Sequence, residues 1–135
     1  MSLLVNIDVD DLNKAIAFYS AAFGLRVGRR FGGSGAEMLG GSSPIYLLLK
    51  EAGSVAADTT TQRRDYARHW TPVHLDFAVD DIDTAVQSAV AAGAQLEKPV
   101  SVRQWGKLAL MTDPFGHGFC FIQFLGRGYD EICDC

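Results

Sequence analysis

Two stretches of the chain carry the same change of hydrophobic period. Val5, Ile7 and Val9 alternate with Asn6 and Asp8, and then Leu12, Ala15, Ile16, Tyr19 and Phe23 recur at helical spacing. A period of 2 predicts a half-buried strand, and a period near 3.6 predicts an amphipathic helix. Sliding the chain by 70 positions lays Val9-Asp10-Asp11-Leu12 on Val79-Asp80-Asp81-Ile82. The match runs both ways. Val5, Ile7 and Val9 fall on Leu75, Phe77 and Val79, and the second helix has the stripe Ile82, Ala85, Val86, Ala89 and Val90. At each change of period stands a pair of aspartates. Asp10 or Asp11, and Asp80 or Asp81, are expected to cap the free N–H groups of the helix that follows. Gly24 and Gly93 stand where each helix should stop.

Three strands are expected after each helix. In the first half they are Leu25–Phe31, Ala36–Leu39 and Ile45–Lys50, separated by Gly32-Gly33-Ser34-Gly35 and Gly40-Gly41-Ser42-Ser43. In the second they are Gln95–Arg103, Lys107–Thr112 and Phe119–Leu125, with Asp113-Pro114-Phe115-Gly116 as a type I turn. Each half therefore reads βαβββ. The fold class is α+β: two tandem modules forming a curved mixed sheet around a cavity, with the helices outside. Residues 1–135 are read as a single domain. Module 1 covers about 3–50, a polar linker 51–71, module 2 about 72–125, and a glycine-rich acidic tail 126–135.

Composition narrows the function. Apolar residues make up 48% of the chain and charged residues 21%, which is globular, and the net charge of −4 argues against a nucleic-acid partner. Arg29-Arg30 and Arg63-Arg64 read as solvated surface pairs. No apolar run reaches the roughly 18 residues of a membrane span, so no membrane partner is expected. The start, Met1-Ser2-Leu3-Leu4, lacks the basic and apolar regions of a signal peptide. Cys120, Cys133 and Cys135 make no disulfide framework, and a reducing cytoplasm is expected. Cys133-Asp134-Cys135 reads as a frayed tail rather than a soft-metal site.

The ordered motifs resemble a known superfamily. Val9-Asp10-Asp11-Leu12, Ala15-Ile16-Ala17-Phe18-Tyr19 and Phe23-Gly24-Leu25 are similar to the opening module of vicinal oxygen chelate proteins. Asp113-Pro114-Phe115-Gly116-His117 followed by Phe119-Cys120-Phe121-Ile122 is similar to their closing one. These are the glyoxalase, bleomycin-resistance and extradiol dioxygenase proteins, and the resemblance spans about residues 3–125. It implies a cavity that takes a small molecule, a homodimer and, in the enzymes, a divalent metal held by His and Glu from the first and last strands of each module.

The implied donor positions fall on His74, Leu4, Cys120 and Leu47 or a neighbour of it. Leucine cannot ligate a metal, so the standard site is not expected. If a metal is held at all, His74, Asp76 and Cys120 are the expected set, and zinc, nickel or iron would suit it. Asp76 joins the set because residues two apart share a strand face. His117 is expected to bond within its turn, and His69 to lie in the linker. Cys120, among Phe119, Phe121 and Ile122, reads as a buried small apolar residue rather than a nucleophile. The expected ligand-binding residues are His74, Asp76, Cys120, Asn6, Asp8, Leu47, Ile122 and Trp105. Ile45 and Leu49 are expected to share the face of Leu47, and Phe124 that of Cys120. Tyr46, Tyr66 and Trp70 are expected as further aromatic walls. Two readings follow. One is a metal-free binder of a small apolar or aromatic molecule. The alternative is a divergent metal-dependent lyase, isomerase or dioxygenase of the glyoxalase type, in which the ion polarises vicinal oxygens while a carboxylate moves a proton.

Overall fold

A computed structural model describes residues 1–135. The chain forms two compact units, Met1–Ala67 and Arg68–Cys135, and each holds one copy of the repeat. Each unit builds its own mixed sheet.

In the first unit β1 (Val5–Val9) leads into α1 (Leu12–Phe23), and β2 (Arg26–Arg30), β3 (Gly35–Leu39) and β4 (Ile45–Leu49) follow. The strand order is β1-β4-β3-β2, with β1 parallel to β4 and the other pairs antiparallel. Asp11 is the N-cap of α1, and its carboxylate accepts from the Lys14 N–H at 3.0 Å. Gly24 ends the helix at φ 66°, a left-handed conformation that costs a side-chain-bearing residue about 1–2 kcal/mol. The buried stripe of α1 is Leu12, Ala15, Phe18, Tyr19 and Ala22, whereas Ile16 and Phe23 are half-buried. The expected stripe is therefore turned: at a true 3.6-residue period, positions 18 and 22 face the sheet better than 16 and 23. Phe18 packs there with Val9, Ala36, Met38 and Leu47 in the buried core.

One charge lies inside this unit. Glu37 on β3 is buried, and its carboxylate accepts from the Arg29 backbone N–H at 3.0 Å, from the Arg29 guanidinium at 2.7 Å and from the Tyr46 hydroxyl at 2.9 Å. Burying a carboxylate is tolerable only with such partners. They hold its pKa down to about 2, with the Arg29 hydrogen bond the largest cause.

Residues 51–67 belong to the first unit rather than to a free linker. A β-bridge joins Val55 to Arg63, and backbone bonds link Gly53 to Arg64 and Ala56 to Gln62. Arg64 pins this strap. Its guanidinium donates to Asp8 at 2.8 Å and to the carbonyls of Val55 and Ala56 at 2.6 and 2.9 Å. The expectation that Arg63-Arg64 is merely solvated surface fails for Arg64, whose side chain is only 15% exposed. Arg29 keeps the expected exposure, at 69%, while its guanidinium pairs with Glu37.

In the second unit β5 (Leu75–Ala78) leads into α2 (Ile82–Ala92), followed by β6 (Gln95–Leu96), β7 (Ser101–Arg103), β8 (Gly106–Thr112) and β9 (Gly118–Phe124). The order is β5-β9-β8-β6, and β7 also pairs with β8. The expected strand over Gln95–Arg103 is thus two short strands. Pro99 lies in the break, and proline has no N–H to give a ladder. Asp81 caps α2 through the N–H groups of Asp83 and Thr84, and Gly93 ends it. Val90 is exposed, so the buried face of α2 is narrower than its apolar stripe. The Asp113–Gly116 turn is closed from within, because the Asp113 carboxylate accepts from the N–H groups of Phe115 and His117 at 2.8 and 2.9 Å.

The tail is partly folded. A short 3-10 helix spans Gly128–Glu131, and Tyr129 packs edge-on to Phe124 with ring centres 4.7 Å apart and at a tilt to Trp105 at 5.2 Å. Cys133 and Cys135 lie within disulfide reach, a local closure where a frayed tail was expected. No helix is long and apolar enough to cross a membrane.

Two outcomes test this packing. Phe18→Ala should destabilise the protein by about 3–5 kcal/mol in urea unfolding, since it empties a fully packed site. Glu37 should impose an acid limb. Its folded pKa of about 2 lies below its unfolded value, so its contribution is complete above the unfolded carboxylate pKa of about 4.3 and is lost as pH falls toward 2. Urea midpoints measured against pH should lose that part of the slope in Glu37→Gln.

Candidate ligand site

The parallel pairing of β5 with β9 decides which side chains share the sheet face away from α2. Asp76 stands opposite Cys120 and Ala78 opposite Ile122, while Leu75 and Phe77 match Phe119 and Phe121 on the other face. His74 immediately precedes β5, and period 2 brings it to the face of Asp76. Its Nε2 lies 3.1 Å from the Asp76 Oδ1. His74, Asp76 and Cys120 present donor atoms that all lie within 4.8 Å of one another.

Their chemistry is unequal. Cys120 is buried, and burial pushes its thiol up to about 11, helped by the charge of Asp76 and by a hydrogen bond to it. At neutral pH it is a thiol and not a nucleophile. Asp76 is the hub, partnered by the imidazole on one side and the thiol on the other. His74 is half-exposed.

Beside this trio lies a cavity of about 220 Å³, bordered by Arg68, Trp70, His74, Glu97, Leu110 and Cys120. Arg68 is fixed from three sides. Its Nη2 and Nε donate to the Glu97 carboxylate at 3.0 and 3.3 Å, and its Nη1 donates to the carbonyl of His69. The third side is Gly118. A Cβ on that residue would stand 2.5 Å from the Arg68 Nη2 and 2.7 Å from its Cζ, so the guanidinium occupies the space a side chain would fill.

Of the other expected site residues in the second unit, Ile122 and Trp105 do not border this cavity. Leu47 is fully buried and pairs with Ile7 on the α1 side of the first sheet, so it does not share a face with Asn6 and Asp8. The register gives that place to Tyr46, opposite Asn6, and Leu48, opposite Asp8. Ile45, like Leu47, is core. Asp8 is engaged by Arg64, and Tyr46 by Arg29 and Glu37. Tyr66 donates to the Lys50 carbonyl. Asn6 is exposed. Ile122 is buried on the face of Cys120. Trp105 sits at the far end of the β8–β9 hairpin, against Phe124 and Tyr129, and does not border the cavity. Arg68, Glu97 and Gly118 were missed. The one local signal was Gly118 at the start of an apolar strand, a position where glycine often marks close approach.

A divalent metal of the kind the superfamily's enzymes hold fits these residues poorly. The first-unit positions are an exposed Leu4 and a Tyr46 already hydrogen-bonded to Glu37. In the second unit Cys120 stands at the position where the resemblance implies a glutamate.

A family model described as a glyoxalase-like domain matches residues 4–122. Among curated proteins, CFP32, named as a glyoxylase, from Mycobacterium tuberculosis and from Mycobacterium bovis is 31% identical over 116 residues, 84% of this chain. The chain spans only 40% of the length of these relatives. A glyoxalase/bleomycin resistance protein/dioxygenase family enzyme of Burkholderia phytofirmans is 26% identical, with a TM-score of 0.72 over 90% of this chain and 97% of that one. The fosfomycin resistance protein FosX of Listeria monocytogenes shares the fold at 20% identity, with a TM-score of 0.71 over 98% of both chains. Two βαβββ units in tandem, matched by the family model over nearly their whole length, mean that this chain belongs to the glyoxalase-like domain family of the glyoxalase/bleomycin-resistance/dioxygenase (vicinal oxygen chelate) superfamily.

Proposed function

We propose that this protein binds a small apolar or aromatic molecule in the cavity of its second unit, without the metal site of the superfamily's enzymes. The observation that carries this reading is the cavity itself. It is lined by the apolar Trp70 and Leu110 and by the polar His74, Arg68 and Glu97. Few, fixed polar groups in an apolar concavity are how small-molecule sites are usually built. The donor set agrees: leucine and tyrosine occupy the first-unit positions, and a cysteine stands where the resemblance implies a glutamate.

A second reading is a metal-dependent lyase, isomerase or dioxygenase. It is favoured by one observation, the 4.8 Å cluster of His74, Asp76 and Cys120. Those three side chains would hold zinc, nickel or iron, which would supply Lewis acidity. A cytoplasmic location, read from the cysteine usage, and a homodimer, implied by the superfamily resemblance, belong to the same proposal.

Metal analysis of the purified protein separates the two readings. Substoichiometric zinc, nickel and iron after dialysis, with thermal stabilisation by aromatic compounds, is the expected result. Stoichiometric metal that disappears in His74→Ala would overturn the binder reading.

A further inference from the structure

The cavity has a size, a donor and a sign of charge, and together these define a ligand class. This step rests on the cavity's being the ligand site. Its volume of about 220 Å³ exceeds the roughly 150 Å³ that accommodates benzene, so one ring with a small substituent fits. Leu110 and Trp70 offer the ring apolar contact.

The donor is Arg68. A guanidinium has five N–H groups. The Nε–H and one on Nη2 go to Glu97, and one on Nη1 goes to the His69 carbonyl. One N–H remains on each terminal nitrogen. Glu97 and the missing side chain of Gly118 hold the plane in place, so this pair is fixed before any ligand arrives.

Arginine forks usually take carboxylates, but the surroundings weigh against one here. Two carboxylates, Glu97 and Asp76, stand near the cavity against the single guanidinium. An entering anion would meet those two carboxylates and would also lose its hydration. A neutral carbonyl oxygen accepts the N–H pair without either cost.

We propose that the cavity selects a neutral aromatic compound bearing a carbonyl group over the matching carboxylate, with Arg68 as the specificity-determining residue and Gly118 and Glu97 as its positioning residues.

Titration of the full chain with benzamide, benzoate and toluene, followed by NMR shifts, tests this. Benzamide should bind about tenfold more tightly than either of the others, the gap that one fixed hydrogen-bonding group typically gives. Arg68→Met, its folding checked by thermal unfolding, should reduce benzamide to the level of toluene. Glu97→Gln keeps the guanidinium and removes one negative charge, so benzoate should gain severalfold. Benzoate binding as tightly as benzamide in the wild type would overturn the proposal. Equal binding of toluene and benzamide would also overturn it, while leaving the aromatic-cavity reading in place. If none of the three binds, that reading fails and the proposal falls with it.

Discussion

The parallel pairing of first strand with last strand fixes everything else in each unit. A strand's side chains alternate between faces, so register alone decides what the helix covers and what stays open. In the second unit it puts Leu75, Phe77, Phe119 and Phe121 on one face and Asp76 and Cys120 on the other. A slip of β5 by one residue would turn the Asp76 carboxylate toward the helix and expose Leu75 and Phe77. Ring contacts across the two strands, of Phe77 with Phe119 at 5.9 Å and with Phe121 at 6.3 Å, hold that register. Each such pair adds about 0.5–1.5 kcal/mol beyond its burial.

What was legible in the sequence was what is local. The repeat, the caps at Asp11 and Asp81, the helix stops at Gly24 and Gly93 and the turn at Asp113 each depend on neighbours within a few residues. Register is different. The offset of 70 relates the first strands of the two halves, but it leaves the last strand of the first half open between Leu47 and its neighbours, and the register gives the place to Tyr46. The order of residues 51–67 was also hidden. Its anchor, Arg64, reaches Asp8 across 56 positions, and no periodicity marks such a pair. Arg68 and Glu97 are 29 positions apart and were invisible for the same reason. The trio at 74, 76 and 120 was legible because two members sit two apart on one strand and the third lies in the strand that closes the repeat.

The two units share a framework but treat their open faces differently. In the first, the polar side chains there are paired within the unit: Glu37 with Arg29 and Tyr46, Asp8 with Arg64. Those groups stabilise the unit and leave little to offer a ligand. In the second, the Arg68–Glu97 pair lines a cavity instead of closing one. A satisfied polar network rigidifies a fold, whereas a partly satisfied one is available for recognition.

The empty position at Gly118 has an evolutionary reading. Most substitutions on a cavity wall alter contacts by degrees, but here even a methyl group would collide with the guanidinium. A side chain at this residue would force the guanidinium to shift, and the cavity's polar donor would move with it. Drift at this position therefore acts on the cavity's polarity through Arg68 rather than through the glycine itself.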